Sequence, residues 1–375
     1  MPGSRNPPLT DYRLPPNRLD FVRFVLASLV IFSHSYPLSS GNEDAEPLAM
    51  FTNKQLTLGT VAVNCFFIIS GFLILHSWLT RPEVVSYLGK RIRRIYPGFI
   101  ATTIICALVI WPLTTRGGYA GISPGFVVEL LLNVLRLQSL TPGPSFVENP
   151  APGVMNGSLW SIPFEFWCYV GILVLGVAKL AHRPRLVGGL FVFFIVVSFV
   201  FAWKHLTPGG RMLGAIFGYP PFWARLLPYF LAGMTLYHYR DAIKFNAIGA
   251  LLCVLGLVVA AKVPNGMIFA LPVAAAYLMF WFAFLPGTWL KRFGKHGDFS
   301  YGIYLYSFPI TQLVVWVYRK PIEPWALFLM AWPLSIVCGV LSWRLLESRF
   351  VARKKLDNRN TPASSGGLPQ PASPH

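Results

Sequence analysis

The stretch RFVLASLVIFSH, residues 23–34, sets ten mostly apolar residues between an arginine and a histidine. With its neighbours it makes an apolar block over residues 19–38, long enough at ~1.5 Å per residue to cross a hydrocarbon core roughly 30 Å thick. A helix of this kind carries two ionisable groups about 16 Å apart, one toward each end. Ionisable side chains inside a bilayer cost several kcal/mol, so both Arg23 and His34 are functional candidates by default, although an interfacial histidine with its ring toward the headgroups explains His34 as well.

Working outward, the whole chain has the same character. It has 375 residues, of which 54% are hydrophobic and 12% charged, with a mean hydropathy of +0.54. The charged share is about half that of soluble domains, which excludes two or three soluble domains of ordinary composition. Ten apolar blocks are predicted to span: 19–38, 58–79, 95–113, 158–181, 186–203, 221–239, 246–263, 266–286, 299–317 and 325–345. The fold class is therefore an all-α, polytopic membrane protein. An N-terminal segment, 1–18, and a Pro/Ser/Gly-rich, disordered tail, 350–375, flank a transmembrane domain over 19–349.

The net charge of +18 does not indicate nucleic acid, because the basic residues form no patch with interleaved aromatics. They sit in short loops on one side, among them Arg81, Lys90, Arg91, Arg93, Arg94, Lys179, Lys291 and Lys295. The first loop of the other side is acidic, with Glu43, Asp44 and Glu46. By the positive-inside rule both termini are cytoplasmic and the span count is even. No cleavable signal precedes the first block. The segment FVVELLLNVLRL, 126–137, has Glu129, Asn133 and Arg136 on one helical face and is read as an amphipathic helix lying on the outer surface. The following stretch, 138–157, reads as a linker. The five cysteines all fall in apolar blocks, without a C-x-x-C pair, and are expected to pack rather than bind metal.

Four further groups of residues are candidates for chemistry. Glu165, in SLWSIPFEFWCYV, lies about 10 Å into its span, a depth close to that of His34, and is suited to orient an imidazole or act as a base. Its structural alternative is an ion pair with an arginine. Arg91 and Arg94, in KRIRRIYP, stand at i and i+3, where guanidinium forks grip phosphate; ordinary loop charge explains them as well. Ser70 and Gly71 permit close helix packing or line a pocket. Trp160, Ser300, Tyr301 and Tyr304 are the remaining candidate pocket-lining residues, the last three fitting an aromatic belt equally well. There is no P-loop, G-x-G-x-x-G, H-E-x-x-H or G-x-S-x-G, which removes nucleotide-driven transport, metalloprotease and serine-hydrolase readings.

Five segments together resemble the acyltransferase 3 family, membrane proteins that O-acylate surface glycans of bacteria. They are LDFVRFVLASLVIFSH, VNCFFIISGFLI, KRIRRIYP, GSLWSIPFEFWCYV and FSYGIYLYSFP, in that order over residues 19–309. The resemblance implies ten core helices in a bacterial inner membrane and a cytoplasmic acyl-CoA donor, usually acetyl-CoA, as co-substrate with no bound cofactor. It also implies a glycan or glycolipid acceptor, with His34 as the essential catalytic residue. Arg23, Arg91 and Arg94 are then expected to hold the donor, and Glu165 to assist His34. Where many members have histidine in the last segment, this chain has Ser307. The alternative from another class is a proton-coupled transporter or flippase that uses His34 and Glu165 as a relay.

Overall fold

The computed structural model describes residues 14–121, 125–139, 143–206, 214, 216–287 and 290–351. These contain helices and no strand. The expected disordered tail, from residue 352 onward, and residues 1–13 lie outside them.

The first three helices are α1 (Leu19–Ser40), the short α2 (Pro47–Phe51) and α3 (Leu58–Thr80). Next comes α4 (Val84–Ile105), which runs on through a π turn at Cys106–Ile110 to Thr114, and then α5 (Phe126–Arg136) and α6 (Ile162–Val177). The chain continues through α7 (Pro184–Trp203), α8 (Pro220–Tyr239), α9 (Ala247–Lys262) and α10 (Gly266–Phe284). It closes with α11 (Ser300–Tyr318) and α12 (Pro324–Ser342), the latter extended by a π turn at Trp343–Glu347 to Val351. Local chemistry sets several ends. Thr57 and Asn246 cap α3 and α9 through their side chains, proline opens α6, α7, α8 and α12, and Gly41 ends α1 in the left-handed region at φ 73°.

Each of the ten predicted blocks falls on a helix. Among the described residues seven helical stretches are long and apolar enough to cross a membrane: Leu19–Ser40, Leu58–Thr80, Val84–Thr114, Leu159–Val177, Pro184–Trp203, Gly266–Phe284 and Pro324–Val351. Of the other three, α9 has only 16 residues, whereas α8 and α11 have spanning length but carry polar side chains such as Arg225 and Gln312. Both pack inside the bundle, where polar groups find partners. Among the seven, α3 is the most buried and α7 the least. α3 crosses α8 at almost backbone contact: a Cβ at Gly71 would lie 2.0 Å from the Phe230 carbonyl oxygen, and one at Gly233 2.0 Å from that of Ile68. Small residues are what allow such an approach.

Two sequence expectations need correction. α5 does not lie flat at one end of the bundle. Its first residue, Phe126, packs on Ala107 and Trp111, while the Leu135 carbonyl near its end accepts from Tyr96 Oη at 3.0 Å, so it runs antiparallel along α4. Its apolar side chains Val127, Val128, Leu131 and Leu135 point away from the protein, which suits lipid. The stretch after it is not a solvated linker either. Phe146, Met155, Asn149 and Asn156 are buried; Asn149 donates to Gln312 Oε1 at 2.8 Å and Asn156 to the Leu305 carbonyl at 2.9 Å. Gln312 returns bonds to the carbonyls of Ala151 and Val154. Irregular backbone is tolerated inside a membrane domain when it is satisfied by protein in this way.

Candidate functional site

A cavity of about 430 Å³ lies among α1, α3, α4, α6, α11 and the end of α12. α3 contributes Val63, Phe66, Phe67, Ser70, Leu73 and Ile74; the eleven-residue interval from Val63 to Ile74 is about 16 Å of helix. At one end the wall is Arg23 with Lys90, Arg91, Arg93 and Arg94, beside the rings of Tyr169 and Tyr301, and beyond these stand Glu165, Ser161 and Tyr304. Of the expected site residues, the fold brings together Arg23, Arg91, Arg94, Ser70, Glu165, Ser300, Tyr301 and Tyr304 around one space. Their positions come from different helices and converge only in the bundle.

The arginines there are not equivalent. Arg23 Nη1 and Arg94 Nη2 both bind Asp298 Oδ2, at 2.8 and 2.6 Å, and Arg94 Nη1 stands 3.7 Å from Glu347 Oε2. Glu347 is 1% exposed and accepts from Ser342 at 2.8 Å. Asp298, in the loop before α11, also accepts from the backbone and hydroxyl of Ser300. Burial alone would push its carboxyl up, but Arg94 and then Arg23 outweigh it and hold the group near 2. Arg91 is different. It lies over the rings of Tyr87 and Tyr169, each at 5.7 Å, and donates to Ser77 Oγ at 3.3 Å. Its Nε is buried without a partner, and no carboxylate pairs with it among the described residues.

Deeper in, Glu165 Oε1 accepts from Ser70 Oγ at 2.9 Å and from Tyr169 Oη. Among the described residues Glu165 makes neither the ion pair with an arginine that was its structural alternative nor a direct hydrogen bond to His34. The proton relay of the transporter reading therefore has no direct link here. Beyond Glu165, Ser161 Oγ and Tyr304 Oη are 2.7 Å apart.

His34 does not line the cavity. Its ring meets the Phe308 ring edge-on, centroids 5.1 Å apart, one helical turn past Tyr304 on α11. Its Nδ1 is buried without a hydrogen-bond partner among the described residues. Phe308 is held from another side by Gly157, where a Cβ would come within 2.5 Å of the ring. Trp160 also leaves the cavity, contrary to expectation: it packs on Phe164 and Phe222 and faces Arg225. Sequence reasoning missed Asp298, Glu347 and Tyr169. The one available signal was Asp298 itself, the sole acid in the basic loop KRFGKHGD. No group of three or more His, Cys, Asp or Glu residues suited to a metal ion occurs among the described residues.

The family described as acyltransferase domain matches residues 17–344. The O-acetyl transferase of Shigella phage Sf6 is 27% identical over 346 residues, covering 90% of this chain and 96% of that protein. Nodulation protein 10 of Rhizobium leguminosarum bv. viciae is 25% identical over 360 residues, 88% of this chain and 92% of the relative. The acyltransferase MdmB of Streptomyces mycarofaciens is 32% identical over a shorter stretch of 117 residues, 30% of this chain and 27% of its own. No solved structure matches the chain.

Proposed function

The chain belongs to the acyltransferase family, and from that premise we propose that it is an O-acetyltransferase moving an acetyl group from cytoplasmic acetyl-CoA to a hydroxyl of a surface or exported carbohydrate. In this reading it has ten spans, both termini are cytoplasmic, and the membrane is the bacterial inner membrane. The O-acetyl transferase relative, matched along nearly its full length, favours acetyl as the group carried.

The observation that carries the proposal is the shape of the cavity: cationic at one end, apolar and hydroxyl-lined along about 16 Å, and reaching Tyr304, one turn before the Phe308 ring that meets His34. CoA is an anionic head on a slender pantetheine arm of roughly 15–20 Å, comparable to that run of α3. Arg91, with Lys90 and Arg93, takes the phosphates. Arg23 and Arg94 shape the mouth and join the donor only by sharing it with Asp298. Ser70, Glu165 and Tyr169 hold the arm where it passes, and the Ser161 and Tyr304 hydroxyls part or turn to let the thioester approach His34.

In the transfer step the acceptor oxygen bonds to the thioester carbonyl carbon as His34 takes the hydroxyl proton. The C–S bond then breaks and the imidazolium returns that proton to the departing sulfur, leaving an O-acetyl ester and free CoA thiol. Glu165 acts as a positioning residue through Ser70 and Tyr169 rather than by touching His34. The test uses purified full-length protein in nanodiscs with acetyl-CoA and glycan from cells lacking the gene. Release of CoA thiol that depends on the glycan, with the mass gain of one acetyl group on it, is the expected result. Thiol release with no acetylated glycan, or no release at all, overturns the proposal.

A further inference from the structure

A second cavity, of about 520 Å³, lies on the far side of α3, enclosed by α7, α8, the start of α10 and the segment before α3. α3 is a shared wall: Val63 and Ser70 face the first cavity, Thr60 and Asn64 the second. The turn before α6 is shared in the same way, since Ser161 lines the first cavity while Trp160 lies under Arg225 of the second.

Arg225 stands five residues into α8, about 7.5 Å from its start. Its guanidinium lies over the Trp160 and Phe222 rings at 5.7 and 5.9 Å and donates to Thr60 Oγ1 at 3.0 Å. No carboxylate lies within ion-pair distance of it among the described residues; the acid that acts on it, Glu43, sits in an exposed loop farther off. Beside it, the 1%-exposed amide of Asn64 stands against Tyr229, and both line the cavity. A buried cation with a hydroxyl and two rings but no carboxylate against it is costly inside a membrane domain unless an anionic ligand completes it. The remaining wall is apolar, with Phe201, Met267 and Ile268, and α7 beyond it turns Val192, Phe193 and Val196 outward.

From this we propose that the second cavity binds an amphiphile whose headgroup carries a net anionic phosphate. Arg225 grips the phosphate through its planar fork, Asn64 and Tyr229 hydrogen-bond the polar head, and the chain lies toward α7 and α10. Two sources share this chemistry, an anionic phospholipid of the bilayer and a polyprenyl phosphate carrying the acceptor glycan. In the second case the proposal rests on the transfer reaction above, with the acceptor held across the Trp160–Ser161 wall from the donor.

The test is native mass spectrometry of the full-length protein released from phosphatidylcholine nanodiscs doped with either phosphatidylglycerol or a polyprenyl phosphate. Wild type is expected to retain one doped lipid. Arg225→Gln should lower that retention about tenfold or more, and Arg225→Lys, which keeps the charge but loses the fork, by less. Retention of phosphatidylglycerol identifies a bilayer lipid as the source, and retention of polyprenyl phosphate alone the acceptor carrier. Equal retention by wild type and both folded variants, or none by wild type in either disc, overturns the proposal. Thermal unfolding and CoA affinity, read on the same samples, should stay unchanged in Arg225→Lys. Because retention is read without acetyl transfer, a failed transferase assay with Arg225-dependent retention would remove the proposed reaction and leave this site standing.

Discussion

Arg91 and Arg94 stand one turn apart on α4 and border the same cavity, yet their surroundings are opposite. Arg94 is fully engaged by Asp298, Glu347 and the Tyr301 ring, which tie α11 and the end of α12 to α4. Arg91 has two aromatic faces, one serine and an unmatched Nε. The difference separates groups that hold the fold from groups that wait for a ligand. By the same test His34, with its orphan Nδ1, stands with Arg91, and Arg23, bound to Asp298, with Arg94.

The most severe way to break this division is at His34. His34→Ala should reduce acetyl transfer by about 10²–10⁴-fold while the protein inserts and unfolds like wild type, as checked by glycan mass spectrometry and thermal melting. Wild-type turnover in that variant would reject the assignment. Arg94→Ala should do the reverse, costing about 3 kcal/mol of stability in denaturation because Glu347 is left buried without a cation and Asp298 keeps Arg23 alone. A variant that melts normally but binds donor poorly would move Arg94 into the ligand class.

Smaller effects sharpen the same contrast. Arg91→Ala should raise the KM for acetyl-CoA by about tenfold or more with stability changed by less than ~1 kcal/mol. A shift of melting temperature with KM untouched would count against it. Asp298 takes its proton near 2 in the folded protein against 3.8 for the free group. Its contribution, about 2 kcal/mol, is thus complete above the unfolded value and fades as pH falls from about 4 through 2. Asp298→Asn should remove that slope from a pH series of denaturation midpoints. Least of all, Tyr169→Phe removes one hydrogen bond to Glu165, about 1 kcal/mol, and should slow transfer several-fold.

The helices were legible because apolar runs of spanning length have few alternatives, and every predicted block lies on one. The arginines and Glu165 were legible as types of residue suited to a cavity, and the bundle does assemble them. Their partners were not. Asp298 is 275 residues from Arg23 and 204 from Arg94, and no local periodicity relates them. Depth along a helix also misled: His34 and Glu165 were matched by height above the membrane face, but rotation about each helix axis turns one toward Phe308 and the other toward Ser70. The segment after α5 has the composition of a surface loop, yet its asparagines are satisfied by α11 rather than by water.

The Gly71–Gly233 crossing has a mechanical consequence. With the backbones of α3 and α8 this close at the crossing, neither helix can move farther toward the other, and the partition between the two chambers cannot thin there. Widening of the arginine-lined chamber must come from its opposite side, where α4 and α12 each contain a π turn that loosens the regular ladder. The other chamber has α7, the least buried of the candidate spans, as its yielding wall. The two chambers thus share one tightly packed wall and differ in the wall that faces it.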